Sequence, residues 1–133
     1  MGSNIDPEHY LLLAAGSIRQ RFPNVVFSKV YRSRAVGMSG ADFLNACCRI
    51  ETCLSFSAVK NWLREIEADC KRDRSHGSWK PRTMDLDLLM LKGEVVDKDI
   101  YRLAYLYQPA RDLIHLKLVA CADEPLQSLD LCL

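Results

Sequence analysis

Two aspartates two residues apart, Asp85 and Asp87, are the residues of this chain best suited to chemistry. They stand in Arg82-Thr83-Met84-Asp85-Leu86-Asp87-Leu88-Leu89, where apolar residues alternate with them. In a strand, positions two apart project from one face, so both carboxylates point one way while Met84, Leu86 and Leu88 point into a core. Like charges that close are unfavourable without a neutralising cation. A rigid Asp-x-Asp therefore suits magnesium, which takes oxygen ligands and keeps substrate phosphates in its shell. The spacing alone also fits two acids on a solvated strand face, although aspartate is depleted in strands.

The stretch just upstream adds cations. Residues 71–82 hold Lys71, Arg72, Arg74, Lys80 and Arg82 against one acid, Asp73. Arginine meets phosphate oxygens bidentately and lysine meets them as a point charge. A carboxylate pair beside a cationic loop is what phosphoryl transfer needs, since that chemistry is mainly positioning and charge neutralisation. A solvated basic turn and a small RNA-binding module are the other readings. The RNA reading lacks interleaved aromatics, because Trp79 is the loop's only one.

A second pair, Phe43 and Asn45, lies on one face of a strand-like segment. An aromatic face suits a flat heteroaromatic ring, and an amide offers both a donor and an acceptor to its polar edge. On their own the two residues equally describe a half-buried strand pair.

The elements that must position these residues are legible in part. Asp6-Pro7-Glu8 predicts a helix start with Asp6 as its cap, and Pro23 predicts its end. Residues 25–33 and 42–52 read as strands, the second with Leu44, Ala46, Cys48 and Ile50 on its core face. Residues 35–41, with Gly37 and Gly40, read as a loop. Ser55 or Ser57 caps a second helix carrying Val59, Leu63, Ile66 and Cys70 on one stripe. Residues 82–91 predict a third strand. A turn at Lys92-Gly93 and a short strand at Val95-Val96 follow. A third helix is predicted over residues 109–120, and the last thirteen residues read as irregular. This order predicts an α+β fold with helices on one face of an antiparallel sheet.

Composition sets the bounds. The 133 residues predict one domain, 1–133. A net charge of +1 argues against wholesale binding of nucleic acid or acidic membranes. The longest apolar run, Tyr10 to Ala15, is too short for a bilayer. Met1-Gly2-Ser3-Asn4-Ile5-Asp6-Pro7 lacks the basic and apolar regions of a signal peptide, so the expected location is cytoplasmic. The six cysteines include no C-x-x-C pair and read as buried free thiols.

Several motifs, taken in order, resemble the 6-hydroxymethyl-7,8-dihydropterin pyrophosphokinase family. They are Gly2-Ser3-Asn4, Tyr31-Arg32-Ser33, Asp42-Phe43-Leu44-Asn45-Ala46, Ile50-Glu51-Thr52, Ile66-Glu67, Arg72-x-Arg74 and Trp79-x-Pro81-Arg82-Thr83-x-Asp85-Leu86-Asp87. The resemblance implies a ferredoxin-like α/β sandwich that lacks the family's first strand, because the chain begins at the motif which follows that strand. A homo-oligomer through an exposed sheet edge would follow. It also implies transfer of diphosphate from ATP to the pterin hydroxymethyl group, leaving AMP. Asp85 and Asp87 would hold two magnesium ions, and Arg72 and Arg82 would contact phosphates. Ser33, Val36, Phe43 and Asn45 would bind the pterin. Ile66, Glu67, Arg74, Trp79 and Arg111 would serve the nucleotide. Lys80, Ser78, the pair Ala104-Tyr105 and Leu113 depart from the family pattern. A paralogue that binds pterin or nucleotide without turnover is the alternative those departures leave open.

Overall fold

The computed structural model describes residues 1–35, 40–72, 82–116 and 126–133. The chain opens with a two-residue strand, β1 (Gly2–Ser3), and helix α1 (Pro7–Arg21). Pro7 in the first helical turn, Glu8 beside it, and Arg19 and Arg21 in the last turn all favour the helix and its dipole. Asp6 precedes the helix as expected, but its side chain caps nothing. It sits at φ 41, in the left-handed region, and offers only its carbonyl, to Tyr10 N–H at 3.1 Å. Phe22 N–H closes the far end on the Ile18 carbonyl at 2.8 Å, one residue before Pro23.

The predicted strand over 25–33 is two strands, β2 (Val26–Phe27) and β3 (Val30–Ser33). The predicted strand over 42–52 is likewise two, β4 (Phe43–Asn45) and β5 (Cys48–Arg49). Both breaks have one cause. Ser28 N–H bonds the Cys47 carbonyl at 2.9 Å, and Ser28 Oγ accepts from Cys47 N–H at 2.8 Å. A side chain thus replaces one rung of the ladder, and the two strands step together into a second pairing, β2 with β5.

Helix α2 (Phe56–Asp69) follows, with Ser55 Oγ accepting from Ala58 N–H at 3.3 Å. Trp62, rather than Leu63, completes its buried stripe with Val59 and Ile66. The predicted third strand over 82–91 is mostly irregular backbone. It keeps a single bridge, Gly2 to Asp85, and the strand β6 (Met90–Leu91). β6 pairs with β7 (Glu94–Val95) across Lys92 (φ 51) and Gly93 (φ 80), the two left-handed residues that a tight hairpin requires. A 3-10 turn, Lys98–Tyr101, leads to α3 (Ala104–Arg111). This helix starts five residues before the predicted one, and Pro109 lies within it near its end. Asp97 caps the 3-10 turn by accepting from Asp99 N–H at 3.0 Å, a signal the apolar periodicity hid. The predicted irregular tail contains β8 (Gln127–Leu129).

The main sheet is antiparallel in the order β1-β4-β3-β8. Its register pairs Gly2 with Asn45, Tyr31 with Asn45, and Tyr31 with Ser128. Two apolar clusters flank it. In the first, Leu11, Ala14 and Ile18 of α1 and Trp62 and Ile66 of α2 meet Val30, Leu44, Ala46, Met84 and Leu86. The second gathers Cys47, Ile100, Tyr107, Ala110 and Leu116. Neighbouring residues on extended backbone face opposite ways, so Ala46 and Cys47 assign these clusters to opposite faces. The expectation of helices on one face holds for α1 and α2, while α3 packs on the other.

A latch fixes α3 there. Asp112, just past the helix, accepts from the Tyr31 hydroxyl at 2.9 Å and from Lys29 N–H at 3.1 Å. Burial, and then that hydrogen bond, push the Tyr31 phenol up to about 12. No helix among the described residues is long and apolar enough to cross a membrane. Cys47, Cys48, Cys53, Cys70 and Cys132 are free thiols.

Candidate functional site

The alternation that buries Leu44 turns Phe43 and Asn45 to the opposite face. The alternation that buries Met84 and Leu86 does the same for Asp85 and Asp87. All four line one cavity of about 330 Å³, together with Gly2, Ser33, Arg34 and Arg82. The first turn of α3 closes it with Leu103, Tyr105 and Leu106. β1 holds the two halves in register. Gly2 N–H bonds the Asp85 carbonyl at 2.9 Å, and Asp85 N–H bonds the Gly2 carbonyl at 2.8 Å, while Gly2 pairs with Asn45 on its other side. Only glycine fits there comfortably, since a Cβ would stand 3.2 Å from Asn45 Oδ1.

Asn4 pins the entrance of the aspartate segment. Its Oδ1 accepts from Arg82 N–H at 2.7 Å and its amide donates to the Ala41 carbonyl at 3.2 Å. The Gly-Ser-Asn motif is thus a backbone clip, a role that residue types alone did not announce. On the cavity wall, Asn45 Nδ2 donates to Ser33 Oγ at 2.8 Å, which fixes the amide's orientation. Asn45 is 5% exposed.

The charged end is a network. Asp85 Oδ1 accepts from Arg72 Nη1 at 2.5 Å, and Asp85 Oδ2 accepts from Arg82 Nη1. Arg72 Nη1 also reaches Glu67 Oε1 at 2.6 Å. Glu67 is 3% exposed, and its Oε1 accepts in addition from Leu86 N–H at 2.8 Å. A carboxylate from α2 therefore holds both an arginine and the backbone between the two aspartates. Asp87 is exposed at the cavity and forms no hydrogen bond or ion pair among the described residues. Desolvation, then the neighbouring Asp85 charge, hold its carboxyl above the ordinary range. Desolvation, followed by the Asp87 charge, also raises the Tyr105 phenol.

The expected site residues therefore divide. Ser33, Phe43, Asn45, Arg82, Asp85 and Asp87 share the cavity, and Arg72 joins them through Asp85. Ile66 packs in the core under α2, and Glu67 lies beneath the network rather than on the cavity wall. Arg111 is exposed, with its guanidinium 5.7 Å from the Tyr107 ring, and does not line the cavity. Val36, Arg74 and Trp79 lie outside the described residues. Leu113 faces other cavities, whereas Tyr105 lines this one. Arg34 and Tyr105 line the cavity without being among the expected site residues. Arg34 is signalled only by its position after Ser33, and Tyr105 only by the early start of α3.

Two carboxylates and two guanidiniums can hold a polyanion with a hard cation, and an aromatic ring beside an oriented amide can hold a flat heterocycle. No group of three or more His, Cys, Asp or Glu side chains arranged to hold a metal occurs among the described residues. Two carboxylates nevertheless match magnesium, which uses one or two of them and fills its shell with substrate phosphates and water.

The chain is similar to known proteins over most of its length. A family model described as 7,8-dihydro-6-hydroxymethylpterin-pyrophosphokinase matches residues 1–115. Relatives carrying the name 2-amino-4-hydroxy-6-hydroxymethyldihydropteridine pyrophosphokinase occur in several bacteria. The protein from Aquifex aeolicus (strain VF5) is 27% identical over 114 residues, covering 84% of this chain and 71% of its own length. The one from Bacillus subtilis (strain 168) is 34% identical over 103 residues, covering 74% of this chain and 61% of the relative. The one from Pseudomonas putida is 32% identical over 101 residues, covering 74% of this chain and 83% of the relative. The family model spans well over half of these residues, and the chain belongs to the 7,8-dihydro-6-hydroxymethylpterin-pyrophosphokinase family.

Proposed function

We propose that this protein transfers diphosphate from ATP to the hydroxymethyl group of 6-hydroxymethyl-7,8-dihydropterin, releasing AMP, as a step of folate biosynthesis. The observation that carries this reading is that Phe43 and Asn45 line the same cavity as Arg82, Asp85 and Asp87. The pterin oxygen attacks the β-phosphorus of ATP, the bond from that phosphorus to the oxygen shared with the α-phosphate breaks, and the hydroxyl proton passes to solvent.

Asp85 and Asp87 are the residues that would hold magnesium, two ions in this reading. Bound there, magnesium supplies charge neutralisation to the phosphates. Arg72 and Arg82 contact the transferring phosphates, and Glu67 positions Arg72 from below. Phe43 stacks on the pterin ring, while Asn45, Ser33 and Val36 meet its amino-oxo edge. Arg74, Trp79, Ile66 and Arg111 belong to the nucleotide side. We also propose that the sheet with its helices is a ferredoxin-like α/β sandwich forming one domain. Among the described residues β1 is bordered by β4 and by Asp85 and β8 ends the sheet, so a homo-oligomer through a sheet edge would use β8. The free thiols suit the cytoplasm.

Asn45→Ala tests the pterin wall. It removes the amide and leaves the charged network untouched. The expected result is a KM for the pterin raised about tenfold or more, with the KM for ATP within twofold of wild type. Equal losses for both substrates, measured by steady-state kinetics, would remove Asn45 from the pterin site.

A further inference from the structure

The charged network has a consequence for the order in which the site fills. Both oxygens of Asp85 accept a guanidinium N–H, one from Arg72 and one from Arg82. Arg72 is itself held by the buried Glu67. The described residues of the network with Asp87 thus set three carboxylates, Glu67, Asp85 and Asp87, against two guanidiniums. In this arrangement Asp85 is already neutralised, and a cation arriving there meets two positive groups at hydrogen-bond range. Phosphate oxygens compete for the same guanidiniums and bind them bidentately.

We infer that Arg72 and Arg82 lock Asp85 against divalent cations until phosphate oxygens draw the guanidiniums away. Metal and phosphate then bind with positive coupling, each raising the affinity for the other, as linkage requires. This lock rests on the diphosphate-transfer reading of the cavity and adds to it the regulation of metal entry. It follows that removing a positive charge raises affinity for the bare cation while lowering affinity for the nucleotide. A site in which the arginines only contact phosphate predicts the second effect without the first.

The test is a titration of Mn²⁺, an oxygen-preferring cation, into the nucleotide-free full chain, followed by its paramagnetic resonance signal. Arg82→Gln is expected to bind Mn²⁺ about tenfold more tightly than wild type, and Arg72→Gln to shift the same way. Adding Asp85→Asn to Arg82→Gln should abolish the gain. Both arginine variants should bind α,β-methylene-ATP more weakly than wild type. Unchanged or weaker Mn²⁺ binding in both arginine variants overturns the lock. So does a gain that survives Asp85→Asn. Absence of AMP formation by the wild type contradicts diphosphate transfer, whereas the Mn²⁺ comparison needs no turnover and decides the lock by itself.

Discussion

Asp87→Ala lowers kcat by about a hundredfold or more, with no loss of thermal stability. Asp87 lines the cavity, is exposed, and makes no hydrogen bond or ion pair among the described residues. Its carboxylate is thus available to the substrate complex and contributes no hydrogen bond or ion pair to the fold among the described residues. Titration of Asp87 has the same sign. Desolvation and Asp85 raise its carboxyl in the folded state. A carboxyl raised on folding costs stability, and the cost grows as pH climbs from the unfolded value through the folded one. At neutral pH the alanine variant therefore melts no lower than wild type. Steady-state kinetics and a melt by circular dichroism measure the two halves. Wild-type turnover in Asp87→Ala would remove Asp87 from the metal site.

Glu67→Ala has the opposite profile, a loss of stability first. Its buried carboxylate accepts from Leu86 N–H at 2.8 Å and from Arg72 at 2.6 Å. Truncation leaves a buried backbone donor and a partly buried guanidinium short of a partner. Breaking such a buried pair costs about 3 kcal/mol. For a chain of this size that lowers Tm by roughly 10 °C. Glu67→Gln keeps an acceptor for Leu86 and should lose less. Because the same carboxylate spaces Asp85 and Asp87 through Leu86, activity of the folded fraction also falls. A melt of Glu67→Ala that coincides with wild type would show that this carboxylate does not hold the aspartate segment.

The contrast between these two residues shows what could be read from the sequence. Alternation is a local property, so Met84 and Leu86 in the core and Asp85 and Asp87 opposite them were legible. So were Leu44 against Phe43 and Asn45. That legibility survived even though residues 82–91 are mostly not regular strand, because facing depends on extended backbone rather than on a full ladder. Glu67 was legible as a member of a motif but not as a buttress. Its role depends on α2 packing beneath a segment 19 positions later, which no local pattern encodes. The strand breaks escaped for a similar reason. Ser28 replaces a ladder rung with its hydroxyl across 19 positions. The predicted third helix begins at Pro109, whereas α3 begins at Ala104 and Pro109 sits inside its last turns. That shift is what carries Tyr105 into the cavity.

The central claim is that one cavity brings a pterin alcohol and the phosphates of ATP together. Its most direct test is AMP formation by the purified chain, followed by chromatography with ATP, magnesium and 6-hydroxymethyl-7,8-dihydropterin present. The expected result is AMP and pterin diphosphate in equal amounts, lost when the pterin alcohol is omitted or magnesium is chelated. Binding of both substrates with no AMP, or AMP formed without the pterin alcohol, would contradict it.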